Sequence, residues 1–424
     1  MSWVTTSCSA IALSGLLTAS LDAQSARPAE LRLFPVVPAW SNPLDAVMLA
    51  PPVASGHRVF VPVEGDRLMA FDLERGTSIW TIEAHPLFVP ATGDDLVFLA
   101  ETDAITARRQ DTGAVAWRVP FAAELAAPLV WDNGWLVAAE ASGNVLAFRA
   151  ADGELIWRQN LDVRVRSAPA LAADRLYAAL EDGQIVALDV ATGTRLWSRR
   201  LGGPPNEMLA TDDRIYVGSD DNYLYCLAAS TGEVAWRWRT GADVIGAPVT
   251  DGARVSFVAR DNVLRSLAGK SGAQRWKRAL PARPTRGVVR TGDLLLVSGL
   301  APKVSAFAMK DGAPAGDITS PGELAAAPFV TDVRGVPQVV LVSRDIATGT
   351  RVLAVRRLID PPMNNQVPVL PGAVTVAAAP GAPAQTSGGT TPSPAGSPPE
   401  RQREPEREPG REPRREPGAE PVPR

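Results

Sequence analysis

Apolar and polar residues alternate in short runs along most of this chain. Arg175-Leu176-Tyr177-Ala178-Ala179, Gln184-Ile185-Val186-Ala187-Leu188-Asp189 and Arg214-Ile215-Tyr216-Val217-Gly218 are typical. Runs of this length with a period near two, bounded by Gly, Asp and Asn, predict strands, and no helical period competes. The runs come in a fixed order. A short apolar stretch around a proline opens each group, as in Ala127-Pro128-Leu129 and Ala168-Pro169-Ala170. An alternating strand follows, then an acidic or glycine turn such as Glu181-Asp182-Gly183, then a second alternating strand. Thr192-Gly193 turns the chain into a last strand, Arg195-Leu196-Trp197-Ser198-Arg199. Four short strands joined by tight turns make an antiparallel meander.

The meander recurs. Trp80, Trp117, Trp157, Trp197, Trp236 and Trp276 are separated by 37, 40, 40, 39 and 40 residues. Each lies four residues after a glycine: Gly76, Gly113, Gly153, Gly193, Gly232 and Gly272. A period near 40 with four strands per copy predicts an all-β propeller of four-stranded antiparallel blades. One blade cannot bury both its faces, so the tryptophans are expected between neighbouring blades, with glycine supplying the positive φ of a tight turn. These twelve positions are therefore assigned to structure, not to function.

The segments Ala187-Leu188-Asp189-Val190-Ala191-Thr192-Gly193-Thr194-Arg195-Leu196-Trp197 and Ala228-Ala229-Ser230-Thr231-Gly232-Glu233-Val234-Ala235-Trp236 resemble the pyrroloquinoline-quinone-type propeller repeat, Ala-x-Asp-x-x-Thr-Gly-x-x-x-Trp. The resemblance runs over about residues 48–358. The aspartate is kept at Asp72 and Asp189 and replaced by Arg109, Arg149, Ala228 and Ala268. A seventh copy keeps Asp311-Gly312 but has Gly316 where tryptophan belongs. Ala326 to Val330, Gln338 to Val342 and Arg351 to Leu358 supply three strands of an eighth. The strand-like run Glu30 to Val37 is expected to complete it, closing a ring of eight blades and removing the open sheet edges.

The ends differ from the propeller of residues 30–359. Residues 1–26 carry an apolar run, Ile11 to Leu21, too short to span a bilayer, and resemble a secretory signal without a basic start. Export to the periplasm is expected, with no transmembrane helix in the mature chain. Cys8 precedes the apolar run, the wrong order for a lipidation signal. Residues 360–424 are rich in Pro, Ala and Gly and then in Arg, Glu and Pro, a composition expected to be disordered or to act as a contact arm.

Composition narrows the chemistry. The net charge of −3 does not suggest a nucleic-acid surface. Cys8 and Cys226 are the only cysteines, and Cys226 occupies the small position matched by Ala187, where a buried, unreactive thiol is expected. His57 and His85 sit in separate copies and are expected on surface loops. The pairs Glu181-Asp182, Asp212-Asp213 and Asp220-Asp221 lie at turns, where carboxylates bond their own backbone, so calcium binding is the weaker reading. Trp131 and Trp135 bracket Asp132-Asn133-Gly134 and are expected to pack across a hairpin.

The repeat family includes quinoprotein dehydrogenases, which bind the quinone and calcium on the propeller axis, commonly beside an adjacent cysteine pair. This chain has no such pair and no haem-attachment motif, so no cofactor, metal or catalytic residue is assigned. The chain is also similar to the accessory propeller lipoprotein of the outer-membrane β-barrel assembly machinery, a scaffold whose loops bind the barrel-inserting protein. That resemblance implies partner binding by an arginine in a blade-linking loop. The matching loop, Asp162-Val163-Arg164-Val165-Arg166-Ser167-Ala168-Pro169, offers Arg164 and Arg166, with solvated surface charge as the competing reading. The expectation is a non-catalytic envelope scaffold, monomeric by itself, binding other envelope proteins through these loops or the tail. A quinone-dependent dehydrogenase and a ligand-sensing propeller are the alternatives.

Overall fold

The alternating runs pair as the spacing predicts. In the computed structural model, which describes residues 33–346 and 349–358, they form eight antiparallel sheets and no helix. Blade 4 shows the plan: Ala170–Ala172 on the inside, then Arg175–Ala179, Gln184–Asp189 and the outer strand Arg195–Arg200. Blades 1, 2 and 3 occupy residues 53–83, 91–120 and 130–160. Blades 5, 6 and 7 occupy 205–239, 244–279 and 289–319. The expected secretory segment, Cys8 and the tail lie outside the described residues. Among the described residues no helix is long and apolar enough to cross a membrane.

Blade 8 takes strands from both ends of the chain. Val336–Asp345 pairs with Gly349–Arg357, and Gly349–Arg357 pairs with the N-terminal strand Val36–Pro43. Closure by the N-terminus is thus observed, but the strand lies further along than the expected Glu30 to Val37; of the described residues of that run, Val36 and Val37 alone are paired in the strand. Trp40 explains the placement. It stands 40 residues before Trp80 and packs its ring on Gly76, so Trp40 is a further rung, carried on the closing strand. Leu33 and Phe34 do not pair as a strand. Leu33 is buried between blades 7 and 8, and Phe34 lies against Gly316, the position where the seventh copy lacks its tryptophan.

Every rung is built alike. The indole of Trp157 lies on Gly193 of blade 4, close enough that a Cβ there would sit 2.7 Å from the ring. Gly193 has φ +71°, so the turn needs glycine twice, for its backbone and for its bare surface. Trp157 Nε1 donates to the Val190 carbonyl at 2.7 Å. Trp40, Trp80, Trp117, Trp197, Trp236 and Trp276 donate to the corresponding carbonyls at 2.7–3.1 Å. A bulge beside each tryptophan, as between Ala187 and Leu188, turns the outer strand so that the indole meets the next blade. The residue opposite the indole must be small, which places Cys226 opposite Trp236.

Apolar clusters fill every interface between blades, including blade 8 with blade 1, where Val340 and Ala354 meet Val59 and Phe71. Trp131 and Trp135 correct the hairpin expectation. They pair with Leu136 and Asp132, not with each other, and join clusters on opposite faces of blade 3. Successive residues of a strand point to opposite sides, and the register puts these two out of phase.

Trp157→Ala should lower stability by about 3–5 kcal/mol, the usual cost of emptying a large aromatic site. Gly193→Ala should cost about 1–3 kcal/mol through overpacking against the same ring. Urea unfolding would measure both. Trp40→Ala should match Trp157→Ala; an unshifted midpoint would show that the N-terminal strand does not hold the ring.

Candidate partner-docking face

The meander divides its loops between two faces. Linkers between blades and the turns joining second to third strands lie on one face, here the loop face. Turns joining first to second and third to fourth strands lie on the other. The strand ends Val36 and Arg357, close to where the described chain begins and ends, are paired at this second face, away from the linkers.

Arg164 and Arg166 stand on the loop face, in the linker entering blade 4. The linker is not free. Val165 is buried and forms an antiparallel bridge with Leu180. Arg166 N donates to the Ala179 carbonyl at 2.8 Å, and Glu181 N donates to the Arg164 carbonyl at 3.1 Å. With Val165 turned inward, its two neighbours are turned outward. Their side chains then part. Arg166 Nη2 reaches Asp220 Oδ2 at 2.7 Å and Asn206 Oδ1 at 3.3 Å, tying blade 4 to blade 5. Among the described residues the Arg164 side chain pairs only with Glu181, with Nε 3.7 Å from its carboxylate, and stays 43% exposed.

Beside Arg166 opens a polar cavity of about 600 Å³. Val244 and Ile245 line it with Asn206, Glu207, Asp243 and Arg260. Across the same face, at blades 7, 8 and 1, lies a larger and more apolar groove of about 920 Å³. Leu44, Val47, Leu300, Pro302, Pro321 and Ile346 line it, and Leu300 and Ile346 stand well exposed. The sequence reading missed this groove. Its signal was present: Leu300 and Ile346 occupy turns where blades 4 and 5 carry Glu181-Asp182-Gly183 and Asp220-Asp221-Asn222.

The turn carboxylates are used locally. Asp182 Oδ1 accepts from Gln184 N at 3.1 Å, and its other oxygen meets Arg200 at 2.7 Å. Asp221 accepts from Tyr223 N and from the Tyr225 hydroxyl. Asp261 is held by two bonds from Arg265, at 2.9 and 2.6 Å. Burial pushes the Asp261 carboxyl up, but the Arg265 guanidinium and backbone donors outweigh it and hold the group below its ordinary value. His57 and His85 are exposed, and His85 pairs with Asp66 at 3.2 Å. Cys226 is buried, its Sγ near Arg214 and the Gly269 carbonyl, and burial pushes its thiol up. Such a thiol is a poor nucleophile. Among the described residues no group of three His, Cys, Asp or Glu could hold a metal ion. Among those residues, then, no such cluster stands ready for the calcium that a quinone centre would need.

The family model described as outer membrane protein assembly factor BamB matches residues 101–212 and 200–358. The chain belongs to that family. Among its relatives, the BamB of Bordetella pertussis (strain Tohama I) is 27% identical over 208 residues, 46% of this chain and 54% of that protein. The BamB of Burkholderia pseudomallei is 23% identical over 260 residues, 58% of this chain and 59% of that one. The chain spans about half the length of the first of the curated relatives it matches. BamB from Moraxella catarrhalis shares the fold, with a TM-score of 0.58 at 18% identity, over 75% of this chain and 99% of that one. So does quinohemoprotein alcohol dehydrogenase from Comamonas testosteroni, with a TM-score of 0.61 at 12% identity and 76% of each chain covered. The two structures carry different functions on one ring, so the ring itself selects neither.

The depressed Asp261 value fixes a sign. A carboxylate with a lower folded than unfolded value stabilises fully above its unfolded value and loses that contribution as pH falls through the folded one. Asp261→Asn should cost about 1–2 kcal/mol at neutral pH. Its deficit against wild type should close below about pH 4, near and under the ordinary aspartate value. Thermal melts from neutral to acid pH check this; a constant deficit would contradict it.

Proposed function

We infer that this chain is a non-catalytic scaffold of the cell envelope that takes part in outer-membrane protein assembly by binding another protein on its loop face. Membership of the assembly-factor family carries the reading. Three features support it. The loop face holds cavities of about 920, 710 and 600 Å³, the second of them beside His85 and Arg118, it lies opposite the described chain ends, and the residues there supply hydrogen-bonding and apolar surface.

The two arginines take different roles in this reading. Arg166 is held by Asp220 and Asn206 and fixes the shape of the linker. Arg164 is the contact residue, because its single ion pair at 3.7 Å is exposed and exposed pairs contribute little. A partner carboxylate can draw it away at small cost. The partner proposed is the barrel-inserting protein of the assembly machinery, and the place of action is the periplasm beside the outer membrane.

A pull-down of the tagged chain from its native envelope tests the assignment. Recovery of the barrel-inserting protein is expected, reduced by at least about ten-fold, or 1.4 kcal/mol, in Arg164→Glu. The same variant should melt like wild type, whereas Arg166→Glu should lower both recovery and melting temperature. Absence of every barrel-assembly subunit from the wild-type eluate would overturn the proposal.

A further inference from the structure

The outer strands are unequal around the ring. Those of blades 4, 5 and 6 are Arg195–Arg200, Val234–Arg239 and Gln274–Ala279. Their sequences, RLWSRR, VAWRWR and QRWKRA, hold no carboxylate and eight cations among eighteen residues. The outer strands of blades 1, 7 and 8 hold no cation at all. Blades 2 and 3 have one each, and both are neutralised: Arg118 by Asp103 at 2.6 Å, and Arg158 by Glu140. In a chain of net charge −3, one side of the rim is thus strongly basic.

Some of these cations serve the fold. Arg199 and Arg278 donate to the carbonyls of Gly232 and Gly312 beside the indole rungs, and Arg200 pairs with Asp182. Arg237 lies over the Tyr223 ring, 4.8 Å from its centre. Arg195, Arg239, Arg275 and Lys277 are exposed, and among the described residues none of their side chains forms an ion pair or a hydrogen bond. Leu196 and Val234, 45% and 43% exposed, stand among them. Glu233 is the one carboxylate in the turns that lead into these three strands.

We propose that the outer rim of blades 4–6 is a docking surface for an anionic phospholipid bilayer. Unpaired cations on long side chains, spread over three neighbouring strands with apolar side chains between them, match a plane of phosphate headgroups. Each cation near such a plane adds attraction without requiring a fixed contact geometry. An acidic protein partner would call for a shaped site, and none of the three loop-face cavities extends onto these strands. Docked by its rim, the ring stands with its loop face to the side and open to a partner. The proposal is independent of the scaffold reading, since it needs lipid alone.

Flotation of the purified full chain with vesicles tests it. Vesicles of phosphatidylethanolamine and phosphatidylglycerol at roughly three to one should carry the protein at low salt, and near 0.5 M salt, where the Debye length is about 4 Å, should release it. Phosphatidylethanolamine–phosphatidylcholine vesicles should not bind. Joint replacement Arg195→Gln, Arg239→Gln, Arg275→Gln and Lys277→Gln should weaken flotation at least about ten-fold while the melting temperature holds. The set Arg195→Lys, Arg239→Lys and Arg275→Lys should retain binding, because the bilayer field reads charge. No wild-type flotation, equal binding to uncharged vesicles, or undiminished binding of the glutamine variant would each overturn the proposal. So would capture by immobilised polyglutamate with no flotation, which would point to an acidic protein instead.

Discussion

A four-stranded blade has two apolar faces and can cover neither of them. Each blade here lends one face to each neighbour, so stability belongs to the interfaces and the ring must close. The tryptophan rung makes each interface specific. An indole fills the bare surface of the next blade's glycine and ties its N–H to a carbonyl of the same turn. That pairing explains why the tryptophans and glycines keep a common spacing while the residues around them vary. It also explains the small residue opposite each indole, and with it the buried cysteine at position 226.

Closure is where the repeat has to be broken. The chain has two ends, so one blade must be assembled from both, and here Trp40 arrives from the N-terminus to sit on Gly76. The preceding residues are then placed to repair the blade that follows the last tryptophan. Phe34 covers Gly316, and Leu33 fills the cluster between blades 7 and 8. One segment of about ten residues thus completes two interfaces. The missing seventh tryptophan is not a gap in the wall, since an aromatic ring from elsewhere in the chain occupies the site.

Most of this architecture was legible in the order of residues, because a period of 40 is a local property repeated until it is unmistakable. Trp40 was overlooked although it lies on the same period, since its own upstream position four residues back is Val36 and not glycine. The glycine-to-tryptophan spacing within a copy hid the fact that the working pair joins two copies. The distinction between Arg164 and Arg166 was not legible either. It depends on Asp220, which is 54 residues further along and becomes a neighbour only when blades 4 and 5 pack. The apolar groove at blades 7, 8 and 1 failed to register because its residues come from separate turns, each unremarkable alone.

Function on such a ring has to be written where the interfaces place no demand. The inner strands, the rungs and the small residues opposite them are committed to packing, and their substitution changes stability before anything else. Two regions escape. The loop face is free because its turns need only reverse the chain, which lets blade 7 carry Leu300 where blade 5 carries Asp220 and Asp221. The outer strands are free on their solvent side, because a bulge sends the tryptophan inward and leaves its neighbours exposed. A uniform ring would present the same surface eight times. This one gathers unpaired cations on the rim of blades 4–6 and apolar side chains on the loops of blades 7, 8 and 1. Those departures from eight-fold likeness give the ring chemically distinct sides.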